Sequence, residues 1–154
     1  MHKLPWEILL LFGGGLSLAK SVQSTGLADW LGSYATALIA VSPVLVVFVV
    51  TLAVVFLTEL TSNLATVAAL LPVLDSVATA AGWNPLLLAI PATLAASCAF
   101  MMPVATPPNA VVYGSGKITI AEMMRAGLWL NLLLLAVIVL WVFVLVVPVF
   151  GIVW

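Results

Sequence analysis

No Asp, Glu, Lys or Arg occurs between Asp75 and Lys117, although this run contains two adjacent prolines, Pro107 and Pro108. Each proline lacks a backbone N–H and its ring clashes with the preceding helical turn, so the pair predicts a break in a helix at Thr106–Asn109. Broken backbone at membrane depth is tolerated only where it is buried in protein or lines a polar cavity. Because a hydroxyl and an amide flank the prolines, this break is a candidate functional site.

The composition predicts an integral membrane protein. Hydrophobic residues make up 66% of its 154 residues and charged residues only 6%, whereas soluble domains carry roughly 25% charged residues. The net charge of -1 argues against nucleic acid as a partner. No His/Asp/Glu metal cluster, nucleophile–base pair or phosphate loop is recognisable, so the sequence predicts no enzyme and no catalytic residue.

Apolar runs and polar interruptions predict an all-α integral membrane protein, in which a spanning helix needs about 20 mostly apolar residues. The predicted parts are bent or interfacial scaffold helices over residues 1–37, a helical hairpin over 38–82 with a polar tip at 58–63, a broken helix over 83–118 with its break at 106–109, and a terminal transmembrane helix over 119–154. Within the broken helix, we expect helix from Pro85 to Val104 and a short continuation over Ala110–Ser115. The hairpin need not cross the whole bilayer and could be re-entrant.

The polar tip, Thr58-Glu59-Leu60-Thr61-Ser62-Asn63, contains only one apolar residue. Its hydroxyl and amide oxygens, with freed main-chain carbonyls, suit a hard, weakly bound cation, and helix N-termini suit an anion. Transporters with interrupted helices use both arrangements near the bilayer midplane. Two interpretations stay open: a water-facing loop between two spanning helices, or a binding site. Glu59 is a candidate proton-relay carboxylate, or it caps or pairs locally.

The two polar segments with their flanks resemble the divalent anion:sodium symporter family of sodium-coupled dicarboxylate, citrate and sulfate carriers. The stretches that carry the resemblance are Thr58–Thr66 and Ala96–Ala110, with Leu11–Leu18 and Glu122–Leu128 matching the carboxy-terminal half of the family. The resemblance implies two inverted repeats, each with a re-entrant hairpin, a broken helix and one sodium site. It further implies a substrate between the two hairpin tips, homodimers and an elevator motion.

The resemblance also implies which residues bind the ion and the substrate. The second sodium site would be formed, partly by main-chain oxygens, by Thr58, Thr61, Asn63 and Ala105. The anion site would be lined by Ser62, Asn63, Thr106 and Pro107. Sodium is the only metal or cofactor that it implies.

Two departures separate this chain from the family pattern. The Ser-Asn-Thr triplet of the family reads Ser62-Asn63-Leu64 here, so one hydroxyl that would face the substrate is absent. Its loss can cost roughly 1–3 kcal/mol when the partner is left unpaired. The chain also matches only about the last third of a complete carrier.

The sequence therefore predicts sodium-coupled symport of a small divalent anion, a dicarboxylate or sulfate, by a multi-pass protein of the cell (inner) membrane. The chain would act as a fragment or one part of a split carrier, within a homodimer or with the missing half. One alternative is a proton-coupled or arsenite-type anion carrier that uses Glu59 as its relay. Another is a non-transporting remnant or subunit that needs a partner chain.

Overall fold

The computed structural model describes residues 42–152 without a gap and only isolated positions between residues 10 and 30 before them. Apart from those positions, the scaffold helices predicted for residues 1–37 lie outside the described residues, as do residues 153 and 154. All regular structure in the described part is helical, which agrees with the all-α expectation.

Six α-helices follow one another along this part of the chain. They are α1 (Pro43–Thr58), α2 (Asn63–Ala80), α3 (Leu86–Ala96), α4 (Pro107–Gly114), α5 (Ile120–Trp141) and α6 (Val147–Phe150). A π-helical turn, Val142–Val146, joins α5 to α6 without interrupting the helical path. Residues 58–63, between α1 and α2, are called the hairpin tip below, and Ser97–Thr106, between α3 and α4, is called the break loop.

Four of these helices begin directly after a hydroxyl residue, because the side-chain oxygen accepts a hydrogen bond from one of the N–H groups that a helix start leaves unpaired. The four N-caps are Ser42 for α1, Ser62 for α2, Thr106 for α4 and Thr119 for α5. At α5 the cap is reciprocal, since Glu122 also accepts a hydrogen bond from the Thr119 N–H at 2.8 Å. Local sequence therefore fixes where these four helices start.

Helix α3 lies at the centre of the packing and contacts α1, α2 and α5. Its Leu87 and Leu88 are completely buried, together with Val47 of α1 and Val142 of the π-helical turn. The outer face of α5 is apolar and exposed, with Trp129 71% accessible, as expected of a helix that faces lipid.

Within the part of the chain that the structure describes, two helical stretches are long and apolar enough to cross a membrane, namely Asn63–Ala80 and Ile120–Phe150. Helices α1 and α3 have 16 and 11 residues, fewer than the roughly 20 that a span requires. The hairpin of α1 and α2 thus pairs a short arm with a longer one.

The break lies earlier in the chain than the two prolines suggested. Helix α3 ends at Ala96, whereas helix was expected as far as Val104, and the non-helical stretch is the break loop. Pro107 and Pro108 instead form the first turn of α4. Proline is favoured at this position because its missing N–H would have no intrahelical partner and its fixed φ suits a helix.

Candidate ion and anion site

Glu59 joins the hairpin tip to the break loop. Its Oε1 accepts hydrogen bonds from the N–H groups of Phe100 at 2.8 Å and Met101 at 3.0 Å. Its Oε2 accepts from Met101 at 3.1 Å and Met102 at 3.0 Å. Successive main-chain N–H groups that converge in this way form a concave binding site for an anion. Here the bound anion is the chain's own carboxylate, which is only 4% exposed.

A fourth donor reaches the same carboxylate from α5. Asn131 Nδ2 donates to Glu59 Oε1 at 2.7 Å, and the Asn131 side chain is completely buried. Sequence reasoning missed this residue. A signal was present, because Asn131 is the sole amide in the long apolar run of α5, and polar residues inside membrane helices face protein partners rather than lipid.

Gly127, one helical turn before Asn131 and on the same face of α5, lets the break loop approach. A Cβ atom built on Gly127 would lie 2.7 Å from the Cα of Met101 and also too close to the carbonyl of Phe100. Because backbone cannot give way as a flexible side chain does, only glycine fits. The N–H groups that hold Glu59 are therefore pressed directly against α5.

Thr58 makes a second link between the tip and the broken helix. Its Oγ1 is buried and lies 2.8 Å from the carbonyl of Ala96 and 2.8 Å from Oδ1 of Asn63. A hydroxyl has a single hydrogen, so it donates to one oxygen at a time unless the Asn63 amide is turned to donate instead. In either orientation, Thr58 ties the start of α2 to the end of α3.

The last turn of α1 presents main-chain oxygens at the tip, as every helix C-terminus does. The carbonyl of Leu57 accepts from the Leu60 N–H at 3.1 Å and from Thr61 Oγ1 at 3.0 Å. Within residues 42–152, no hydrogen bond reaches the carbonyls of Thr58 or Thr61. These two oxygens can therefore accept a cation.

The start of α2 presents donors to the same place. The N–H of Ala65 donates to Ser62 Oγ at 3.1 Å, and that of Thr66 donates to the Ser62 carbonyl at 2.9 Å. The N–H groups of Asn63 and Leu64 have no partner in the described part of the chain. The tip thus combines a helix C-terminus, which favours a cation, with a helix N-terminus, which favours an anion.

The start of α4 has a different character. Pro107 and Pro108 have no N–H, the N–H of Asn109 donates to Thr106 Oγ1 at 3.4 Å, and that of Ala110 donates to the Thr106 carbonyl at 3.1 Å. The Asn109 side chain turns inward and donates to the carbonyls of Ala99 at 2.8 Å and Met102 at 3.0 Å. This end of the site therefore presents a rigid wall and the Thr106 hydroxyl to a ligand, but no unpaired N–H group.

The structure brings only some of the predicted site residues into contact. Thr58 and Asn63 share a hydrogen bond, and Thr61 pairs with Thr66 in the same tip. Among the described residues, no hydrogen bond joins the tip to Ala105, whose N–H donates to the Met102 carbonyl at 3.2 Å. Of the anion-site residues, Ser62 and Pro107 are exposed and Thr106 is half-buried. Their roles in binding stay predictions.

Apolar helices that stop at polar turns, with those turns hydrogen-bonded to each other inside the protein, are typical of integral membrane proteins with interrupted helices. A family model described as the sodium:sulfate symporter transmembrane region matches residues 1–152. The chain belongs to this family, which confirms the resemblance to sodium-coupled divalent anion carriers.

Curated relatives point in the same direction. The chain is 54% identical over 149 residues to a sodium-dependent dicarboxylate transporter, SdcS, of Staphylococcus saprophyticus. It is 51% identical over 150 residues to the protein of the same name in Staphylococcus aureus. Each match covers 97% of this chain and 29% of the relative. These relatives are transporters, which fits the expectation that the chain is not an enzyme, and they indicate a membrane location.

Proposed function

We propose that this chain forms one ion- and anion-binding unit of a sodium-coupled symporter that moves a small dicarboxylate across the cell membrane. One observation carries the proposal: at the hairpin tip, the carbonyls of Thr58 and Thr61 and two N–H groups at the start of α2 have no hydrogen-bond partner among the described residues. Such a tip attracts a cation and an anion together, which is what coupled transport requires. The names of the relatives favour a dicarboxylate, while the family description leaves sulfate as a second substrate.

The cation side of the proposed site uses oxygen atoms only. Sodium would be held by the carbonyls of Thr58 and Thr61, by the amide oxygen of Asn63 and by the carbonyl of Ala105. Neutral oxygen ligands suit a hard cation that must be released again after transport. The break loop supplies Ala105, and Glu59 supports the assignment because it holds that loop against the tip.

The anion side uses the start of α2 and the wall of α4. One carboxylate of the substrate would accept hydrogen bonds from the N–H groups of Asn63 and Leu64 and from Ser62 Oγ. Thr106 and Pro107 would form the facing wall. Leu64 lacks the hydroxyl of the family pattern but retains its main-chain N–H, so this position still has a donor.

Sodium rather than protons is the proposed coupling ion. All five hydrogen bonds at Glu59 are accepted by the carboxylate. A proton placed on either oxygen would face an N–H group, so the geometry favours a structural role for Glu59 over the relay role of the proton-coupled alternative.

The proposed carrier works as a larger assembly than this chain. The chain spans 29% of the length of the curated relatives it matches. We propose that it operates with the remaining part of the carrier, as one partial repeat of an inverted-repeat transporter, in a multi-pass homodimer of the inner membrane. The re-entrant hairpin and an elevator motion belong to the same proposal.

Transport by reconstituted protein tests this function. The chain is placed in liposomes alone and, in parallel, in place of the matching segment of the Staphylococcus saprophyticus transporter. Uptake of radiolabelled succinate and of sulfate is measured with an inward sodium gradient, with choline replacing sodium, and with a proton gradient alone.

We expect succinate uptake by the chimeric carrier only when sodium is present. Uptake that persists in choline and follows the proton gradient would contradict the proposal and support the proton-coupled alternative. An inactive chimera with normal expression and folding would instead support a non-transporting remnant. Activity of the chain alone would show that the remaining part is dispensable.

A further inference from the structure

The link between Glu59 and Asn131 joins two elements that no local sequence signal connects. Glu59 ends α1 at the tip, and Asn131 lies in the middle of α5. The Asn131 amide lies 2.7 Å from the carboxylate, and both side chains are buried. Gly127, on the same face of α5, contacts the backbone of the break loop that wraps the carboxylate. We call Glu59, Gly127 and Asn131 the tip clamp.

The second polar atom of Asn131 indicates that the clamp is more than packing. Asn131 Oδ1 is buried and has no hydrogen-bond partner among the described residues. Burying an unpaired acceptor is unfavourable, and an apolar side chain of similar size would avoid the cost. Turning the amide over would place Oδ1 against Glu59 Oε1, where two acceptors repel. The orientation is therefore imposed by Glu59.

In the sequence, Glu59 lies between Thr58 and Thr61, the two residues whose carbonyls are assigned to sodium. Thr58 precedes it and Thr61 follows two residues later, and the hydrogen bonds from the break loop and from Asn131 hold the Glu59 side chain in place. We infer that this anchoring helps to fix the backbone that carries both carbonyls. A shift of 1 Å in a ligand changes the binding of a small ion strongly. Any change that releases Glu59 from α5 should therefore weaken sodium binding at the tip, although it alters no residue that binds the ion.

We propose that Asn131 and Gly127 are positioning residues for the sodium site, acting through Glu59. This inference rests on the proposed function, because it assumes that sodium binds at the tip. It assigns to α5 a role that no ligand contact reveals: this helix sets the sodium affinity of the hairpin tip.

The test measures sodium dependence in Asn131→Leu and Asn131→Asp variants of the chimeric carrier. Leu removes the donor, and Asp places a second carboxylate against Glu59. We expect the sodium concentration for half-maximal uptake to rise about ten-fold or more, since one hydrogen bond to a charged group is lost. The maximal rate at saturating sodium should change by less than about three-fold, because no ligand is removed.

Two further variants separate positioning from simple destabilisation. In Asn131→Asp with Glu59→Gln, the new amide can donate to the new carboxylate, so the double variant should need less sodium than Asn131→Asp alone. Thr51→Val is the matched control. Thr51 is equally buried, donates to the Val47 carbonyl at 2.6 Å and lies away from the clamp, so its sodium dependence should match that of the unsubstituted protein.

The outcomes separate this inference from the proposed function. Unchanged sodium dependence in both folded Asn131 variants would overturn the inference while leaving sodium-coupled transport in place. Equal losses in Thr51→Val and in Asn131→Leu would also overturn it, because a general loss of stability would then explain both. Sodium-independent uptake by the unsubstituted chimera would overturn the proposed function and the inference together.

Discussion

Helices α2 and α4 begin in the same way but present opposite chemistry. Each starts directly after a hydroxyl cap, Ser62 for α2 and Thr106 for α4, and each start belongs to the candidate anion site. Two N–H groups at the start of α2 have no partner among the described residues, whereas two prolines and two hydrogen bonds leave none at the start of α4. The positive end of a helix attracts an anion mainly through such N–H groups.

The two walls of the site therefore contribute to anion binding in different ways. The α2 wall can donate hydrogen bonds, so it selects for negative charge. The α4 wall is rigid, because its prolines fix the backbone and Asn109 braces the break loop from within. An anion should therefore be bound by α2 and shaped by α4, and the predictions below test that division.

Glu59→Gln is expected to have the largest effect, because it separates the two walls. The amide nitrogen would face N–H donors and leave at least one of them unpaired. We expect the variant to lose about 2–4 kcal/mol of folding free energy and most of its anion uptake. Chemical unfolding of the purified chain and uptake by the chimera measure the two effects.

The control for that variant is Glu122→Gln. The Glu122 carboxylate also accepts hydrogen bonds, from the N–H and Oγ1 of Thr119 at 2.8 Å each, but Glu122 is exposed. It should lose much less folding free energy than Glu59→Gln, because solvent screens an exposed carboxylate. Equal losses in the two variants would show that burial against the break loop adds nothing.

Leu64→Pro should make α2 resemble α4. Proline is tolerated in the first turn of a helix but removes the N–H that we assign to the anion. The KM for the dicarboxylate should rise about ten-fold, with a smaller change in sodium dependence. Leu64→Ala, which keeps the N–H, is the matched control and should stay within about two-fold of the unsubstituted carrier. Equal KM values for the two variants would show that the N–H groups at the start of α2 do not bind the anion.

Leu64→Thr restores the hydroxyl of the family pattern. If the site binds a dicarboxylate as its relatives do, an added donor should lower the KM by about five-fold, equivalent to about 1 kcal/mol. Measuring succinate and sulfate uptake side by side shows which substrate gains. A rise in both KM values would mean that Leu64 contacts the substrate through its apolar side chain.

Pro108→Ala should have the smallest effect. It adds an N–H to the start of α4, yet the wall is assigned a shaping role, so the KM should change by less than about two-fold. Pro148→Ala in α6, outside the site, controls for the loss of a proline. A clear gain in anion affinity for Pro108→Ala alone would show that α4 can act as a donor wall and would weaken the contrast with α2.

Apolar runs and polar interruptions predicted the helical class and the polar tip, because both patterns are local. The resemblance, rather than composition, supplied the family. The position of the break was missed because Pro107 and Pro108 were interpreted as ending a helix, while they begin one. Helix α3 ends earlier because Glu59 draws the N–H groups of Phe100 to Met102 toward the tip.

The tip clamp could not be predicted from the sequence, for a different reason. Asn131 and Gly127 are ordinary helix positions until the fold brings them to the carboxylate and to the break loop. A lone amide in an apolar helix signals a buried partner, but nothing in the order of residues says that the partner is Glu59. That pairing is a property of the tertiary structure alone.

The continuous helix Ile120–Phe150 has 31 residues, which corresponds to a length of about 46 Å. The hydrocarbon interior of a bilayer is only about 30 Å thick, so this helix must lean, protrude or do both. With its middle at the centre of the bilayer, Asn131 would sit about 6 Å from the midplane along the helix axis. Hydrophobic mismatch thus couples the membrane to Asn131, the residue that donates to Glu59. A thicker or thinner bilayer changes the tilt of this helix and, through Asn131 and Glu59, the geometry of the hairpin tip.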